Sequence, residues 1–159
     1  MTAFNQVLGI ILLSLLFSST FLIAHELIHQ NSKFAKVIAT FHQVKCLYMH
    51  FTIYHLYGHH KDVATPLDPA SADKGVSLYQ FLPRCIIGSY KSAMRLQPKT
   101  VSFFTISYGI YLACIYLVFD FSRVIITLTA AFGGVIFLEA INYVEHYGLR
   151  RKQLPDGTY

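Results

Sequence analysis

The sequence predicts an all-α integral membrane protein, a bundle of about three transmembrane helices with further helices lying at the membrane surface. Three observations lead there. The 159 residues have a mean hydropathy of +0.46 and only 13% charged residues, too apolar for an ordinary soluble domain of this size. Three apolar runs each match the thickness of a bilayer core. With three spans, every Lys and Arg except Arg123 falls on one side, which the positive-inside tendency makes the cytoplasm. The basic balance, a net charge of +5, is thereby a topological signal. No basic run interleaved with aromatics accompanies it, so no nucleic acid partner is expected.

The first run, residues 4–24, carries no charge and at about 1.5 Å per residue crosses a ~30 Å hydrocarbon core. No Lys or Arg precedes it and it exceeds the usual core of a signal peptide, so a membrane anchor is expected. It runs into "HELIH", which puts His25 and His29 at i and i+4 on one helix face. The segment from Phe34 to Tyr57 is long enough to span but carries Lys36, His42, Lys45 and His50. It is read as amphipathic or partly buried, returning along the cytoplasmic surface. There follows "HLYGHH", a second i, i+4 pair, His55 and His59, with His60 adjacent. Gly58 is expected to let the backbone bend so that the rings converge.

The Pro- and Asp-rich "VATPLDPASA" ends that helix, and residues 76–96 form a second interfacial stretch, expected to break at Pro83. The remaining spans are residues 101–119 and 124–142. The short link "DFSR" makes them an antiparallel hairpin. Gly133 and Gly134 suit close helix packing in a membrane. If the last helix continues, "EAINYVEHYGL" sets Glu139, Asn142 and His146 on one face, leading to the cytoplasmic edge. Cys46, Cys85 and Cys114 are isolated and are read as small buried apolar side chains.

The histidines carry the chemistry. An i, i+4 pair arises by chance about 0.4 times in a chain of this composition, so "HELIH" alone is a weak signal, and its HExxH form is a weak zinc-protease signature with Glu26 as base. The clustering of six imidazoles is stronger, while the isolated His42 and His50 are read as interfacial side chains. Six exceed the four ligands of one tetrahedral site, so two metal ions fit better. Imidazole suits Zn, Cu, Fe and Ni alike, so the donors alone do not choose the metal. A zinc transporter stays open, although no carboxylate lies mid-span. Glu139 is a candidate to accept a hydrogen bond from a ligand imidazole and fix its tautomer. Asn142 shares its face, and Glu145 is read as a surface residue with a supporting or ligand role open.

The segments "HELIH", "HLYGHHKDVATPLDPASADKGVSLYQFLPR" and "NYVEHYGLRRKQLPDGTY" resemble the alkane 1-monooxygenases of the membrane fatty acid desaturase/hydroxylase superfamily, from about Ala24 to Tyr159. The resemblance implies a non-haem enzyme of the bacterial inner membrane with two iron ions on the cytoplasmic side. It would use O2 and electrons from a rubredoxin-type donor to hydroxylate the terminal methyl of a medium or long alkane. By position, His25, His29, His55, His59, His60 and His146 match the family's iron ligands. The resemblance also implies that the chain is a single incomplete hydroxylase domain, the middle of such an enzyme, with a further histidine motif beyond it. A truncated non-catalytic membrane scaffold and a fatty acyl hydroxylase or desaturase are the alternatives.

Overall fold

A computed structural model describes residues 3–159. The described residues fold as helices α1 (Ala3–Ile28), α2 (Lys33–Lys45), α3 (His50–Tyr54), a π-helical turn (His55–His59), α4 (His60–Asp62), α5 (Leu78–Leu96), α6 (Pro98–Val118) and α7 (Phe121–His146). α1, α6 and α7 are each long and apolar enough to cross a membrane. The protein is an integral membrane helical protein. Only 6% of the apolar window of α6 is buried within the protein. In water such a surface would be a large apolar patch. Cys114 lies on α6 and is exposed, unlike the buried Cys46 and Cys85, so the expectation of a buried side chain holds for two of the three cysteines.

The chain forms two compact units, Met1–Met49 with Lys99–Leu138, and His50–Pro98 with Glu139–Tyr159. In the first, a β-carbon added at Gly133 would lie 2.5 Å from Ser14 Oγ, and one at Gly134 would lie 3.1 Å from Phe17 Cβ. The two glycines therefore let α7 approach α1 more closely than any side chain permits. Asp120 caps α7: its Oδ1 accepts the Arg123 N–H at 3.0 Å and the Ser122 hydroxyl, so the hairpin turn is fixed by one carboxylate. α2 packs on α1 through Ala35, Ala39 and Gln43, one stripe at i, i+4 and i+8. Ser32 caps it, accepting the Ala35 N–H. Leu47, at φ 53°, then turns the chain, so residues 34–57 form separate helices. The Tyr108 hydroxyl accepts the Met49 N–H at 2.6 Å.

In the second unit α5 packs against α3. It opens with a capping box, Ser77 accepting the Gln80 N–H while Gln80 accepts from the Ser77 N–H. The expected break at Pro83 does not occur; α5 continues through it. Proline removes one bond, to the carbonyl of Tyr79. Tyr79 is 87% exposed, so water can satisfy the freed group, while the buried Phe81, Cys85, Ser89 and Ala93 hold the helix on its inner face.

Candidate metal centre

Within the first unit, α1 ends in the "HELIH" pair. The His25 and His29 Nε2 atoms lie 3.5 Å apart with their rings edge-on at 5.0 Å, as the i, i+4 spacing dictates. Glu26 Oε1 is 3.4 Å from His25 Nδ1 and its side chain is 79% exposed.

Within the second unit the π-turn does what the sequence assigned to a bend at Gly58. In an α-helix, residue i+5 is rotated about 140° away from residue i. Here the His60 N–H reaches back to the His55 carbonyl, an i to i+5 closure that brings both rings to one side. Their Nε2 atoms are 2.9 Å apart; between neutral rings one Nε2–H donates to the other. His59 sits beside them, its ring 5.3 Å from that of His55. Gly58 has a different task. A β-carbon there would lie 3.1 Å from Ser92 Oγ and 3.4 Å from Leu96 Cδ1, so the glycine admits α5 against the turn.

His146 joins this group from the end of α7, its ring 4.8 Å from that of His59 and nearly perpendicular. The segment after it is stitched to the loop that follows the histidines. The Gly148 N–H donates to the Ala72 carbonyl at 2.7 Å, the Arg151 N–H donates to the Ala64 carbonyl at 2.8 Å, and the Tyr143 hydroxyl donates to the Val76 carbonyl. Gly148, at φ +74°, supplies the left-handed turn this return requires. These bonds tie the segment after His146 to the loop that follows the histidines.

His146 and His59 have their Nδ1 engaged. His146 Nδ1–H donates to the Asn142 carbonyl at 2.8 Å. His59 Nδ1–H donates to Asp68 Oδ2 at 3.0 Å. Each arrangement leaves Nε2 with its lone pair as the ligand atom. The sequence does not single out Asp68, since "PLDPASA" reads only as a helix exit. Its one visible signal is an aspartate between two prolines shortly after the histidines. The carboxylate is fully buried and also accepts the Tyr54 hydroxyl, the Ser71 hydroxyl at 2.9 Å and the Ala70 N–H at 3.2 Å. Burial alone would raise its pKa, but the hydrogen bonds and charge of His59, with the bonds from Tyr54 and Ser71, outweigh that and hold it below the usual carboxylate value. Burial and the Asp68 charge push the Tyr54 phenol up, so it remains the donor.

Glu139 is fully buried. Its Oε2 accepts from Asn142 Nδ2 at 2.9 Å and from the Cys85 thiol at 2.9 Å. Burial, followed by the Glu139 charge and hydrogen bond, pushes that thiol well up, so Cys85 stays protonated and is a donor here. Glu145 is exposed. The donor chemistry of the second unit, imidazoles with Nε2 lone pairs backed by a carboxylate and a carbonyl, fits a first-row transition metal. His42 and His50 stand outside these groups. His50 is buried, its ring 5.1 Å from that of Tyr90, so it is a core residue where the sequence suggested an interfacial one.

These features define a class: an integral membrane helical protein whose clustered histidines have the donor chemistry to hold metal. The chain belongs to the fatty acid desaturase family, whose model matches residues 3–158. It is 39% identical over 150 residues to an alkane 1-monooxygenase of Acinetobacter baylyi, covering 86% of this chain and 37% of that protein. It is 35% identical over 149 residues to an alkane 1-monooxygenase of Pseudomonas putida, covering 85% and 37%. It is 34% identical over 152 residues to alkane 1-monooxygenase 1 of Pseudomonas aeruginosa, covering 86% and 40%. The chain thus spans about two fifths of the length of the curated relatives it matches.

Proposed function

We propose that the chain provides part of a membrane monooxygenase that hydroxylates the terminal methyl of medium or long alkanes. The reaction consumes O2, two electrons and two protons and yields a primary alcohol and water. In this reading His25, His29, His55, His59, His60 and His146 hold two non-haem iron ions on the cytoplasmic side of a bacterial inner membrane, and a rubredoxin-type protein supplies the electrons. Bound iron would supply the oxidant that an unactivated C–H bond requires, since acid-base chemistry has no purchase on such a bond.

The observation that carries the proposal is the set of four imidazoles in the second unit, with the Nδ1 atoms of His59 and His146 tied down and their Nε2 atoms left for metal. The names of the relatives support the substrate. In this reading Asp68 and the Asn142 carbonyl orient ligand rings, while Glu139, Asn142 and Cys85 form a buried hydrogen-bonded support on the same unit.

A fatty acyl chain as substrate is the second reading, favoured by the family to which the chain belongs. Feeding isotope-labelled octane, hexadecane and palmitate to cells carrying the complete gene separates the two. The proposal expects labelled 1-octanol or 1-hexadecanol. Oxidised palmitate with neither alkanol would overturn the alkane assignment.

A further inference from the structure

We propose that Asp68 is a positioning residue for His59: its carboxylate fixes the imidazole as the Nδ1–H tautomer and so presents the Nε2 lone pair to metal. This rests on the reading of His59 as a metal ligand. A carboxylate offers about four acceptor positions and no donor when ionised. All four are used here. Oδ1 takes the Tyr54 hydroxyl and the Ala70 N–H, and Oδ2 takes the Ser71 hydroxyl and His59 Nδ1–H. Ser71 is held in place by accepting the Ala64 N–H at 2.8 Å. The carboxylate has no solvent exposure, so water does not compete for His59. With Oδ2 able only to accept, the facing ring nitrogen must carry the proton.

The same carboxylate also anchors its loop, through the Ala70 N–H and through the Ser71 hydroxyl, so a purely structural role is the rival explanation. Asp68→Asn separates them. The amide oxygen can still accept from Tyr54 and Ala70, but the amide –NH2 then faces His59 and needs an acceptor. That reverses the tautomer and puts a proton on Nε2, while side-chain volume and the Ala70 anchor are retained; the Ser71 hydroxyl, which loses its acceptor at Oδ2, is the one loop contact altered. The wrong-tautomer effect of an Asp→Asn change beside a functional histidine is a general one.

The test uses the full chain in detergent with cobalt(II) as the probe. Asp68→Asn is expected to lower cobalt affinity about 10- to 100-fold; wild-type affinity would overturn the proposal. In a His59→Ala background the same substitution is expected to add less than a threefold change, because its effect passes through His59. A full further loss in that background would show that Asp68 acts elsewhere and overturn it. If His59→Ala alone binds cobalt as the wild type does, the ligand reading of His59 falls, and the positioning role falls with it. A separate measurement needs no variant. The nitrogen NMR spectrum of ¹⁵N-histidine-labelled wild-type protein should show His59 protonated at Nδ1, and protonation at Nε2 alone would refute the assignment.

Discussion

Gly88 sits on α5 beneath the loop that carries Asp68, and replacing it with alanine tests how rigidly that loop holds its carboxylate. A β-carbon at position 88 would lie 2.4 Å from Pro69 Cβ and 3.0 Å from Pro69 Cγ. The proline ring has no rotamer by which to withdraw, so the loop or the helix must yield. Reaching ordinary contact, which begins at 3.4 Å, requires a shift of about 1 Å. Asp68 adjoins Pro69, and its bond to His59 is 3.0 Å long. Moving the loop by that amount away from His59 takes the pair beyond hydrogen-bond range, whose upper end is about 3.2 Å for N–H···O. Overpacking costs about 1–3 kcal/mol, opposed by about 1 kcal/mol from the better helix propensity of alanine. The net cost is therefore at most about 2 kcal/mol, and the larger effect should appear in metal binding. Cobalt titration and thermal unfolding of Gly88→Ala in detergent measure both. Wild-type cobalt affinity together with an unchanged melting temperature would refute the reasoning that this contact positions Asp68.

Further outcomes follow from other sites. Burial holds the His50 imidazole down to about 4, from an ordinary value of 6.5. Between those values the unfolded chain binds a proton that the folded chain does not, so stability is full above about pH 6.5 and declines as pH falls toward 4. The melting temperature of the wild type should therefore drop more between pH 7 and pH 5 than that of His50→Phe, and parallel curves would contradict this. Gly133→Val places side-chain atoms where Ser14 Oγ already lies 2.5 Å from the β-carbon position. It should cost about 1–3 kcal/mol of stability, partly recovered by a compensating Ser14→Gly. Ser77→Ala removes the capping box of α5 and should lower stability by about 1 kcal/mol in thermal unfolding.

The spans were legible because hydropathy acts over a whole turn-rich run, and lipid leaves helix as the only way to satisfy backbone groups there. Gly133 and Gly134 were legible for a related reason, as small residues in an apolar helix have few uses besides close packing. Local rules misled where tertiary packing won. Pro83 lies within a helix whose inner face is buried, and the loss of one exposed bond does not outweigh that burial. Gly58 suggested a flexible bend, yet the backbone stays helical and widens into a π-turn, a change in hydrogen-bond register that side-chain spacing does not encode. The histidines of the candidate site were visible as a cluster. Helical periodicity points to Glu139 as their supporting carboxylate, whereas a carboxylate–imidazole bond is seen at Asp68. Asp68 lies on a loop, where no period relates it to His59, and only the fold of the "PLDPASA" segment brings the two together.

If these histidines hold iron, the iron content of the protein, expressed from the complete gene and purified in detergent under anaerobic conditions, should depend on them. Iron should be bound to the wild type and lost in the His55→Ala/His59→Ala double variant, with helical circular dichroism retained. Unchanged iron per chain in the double variant would contradict this.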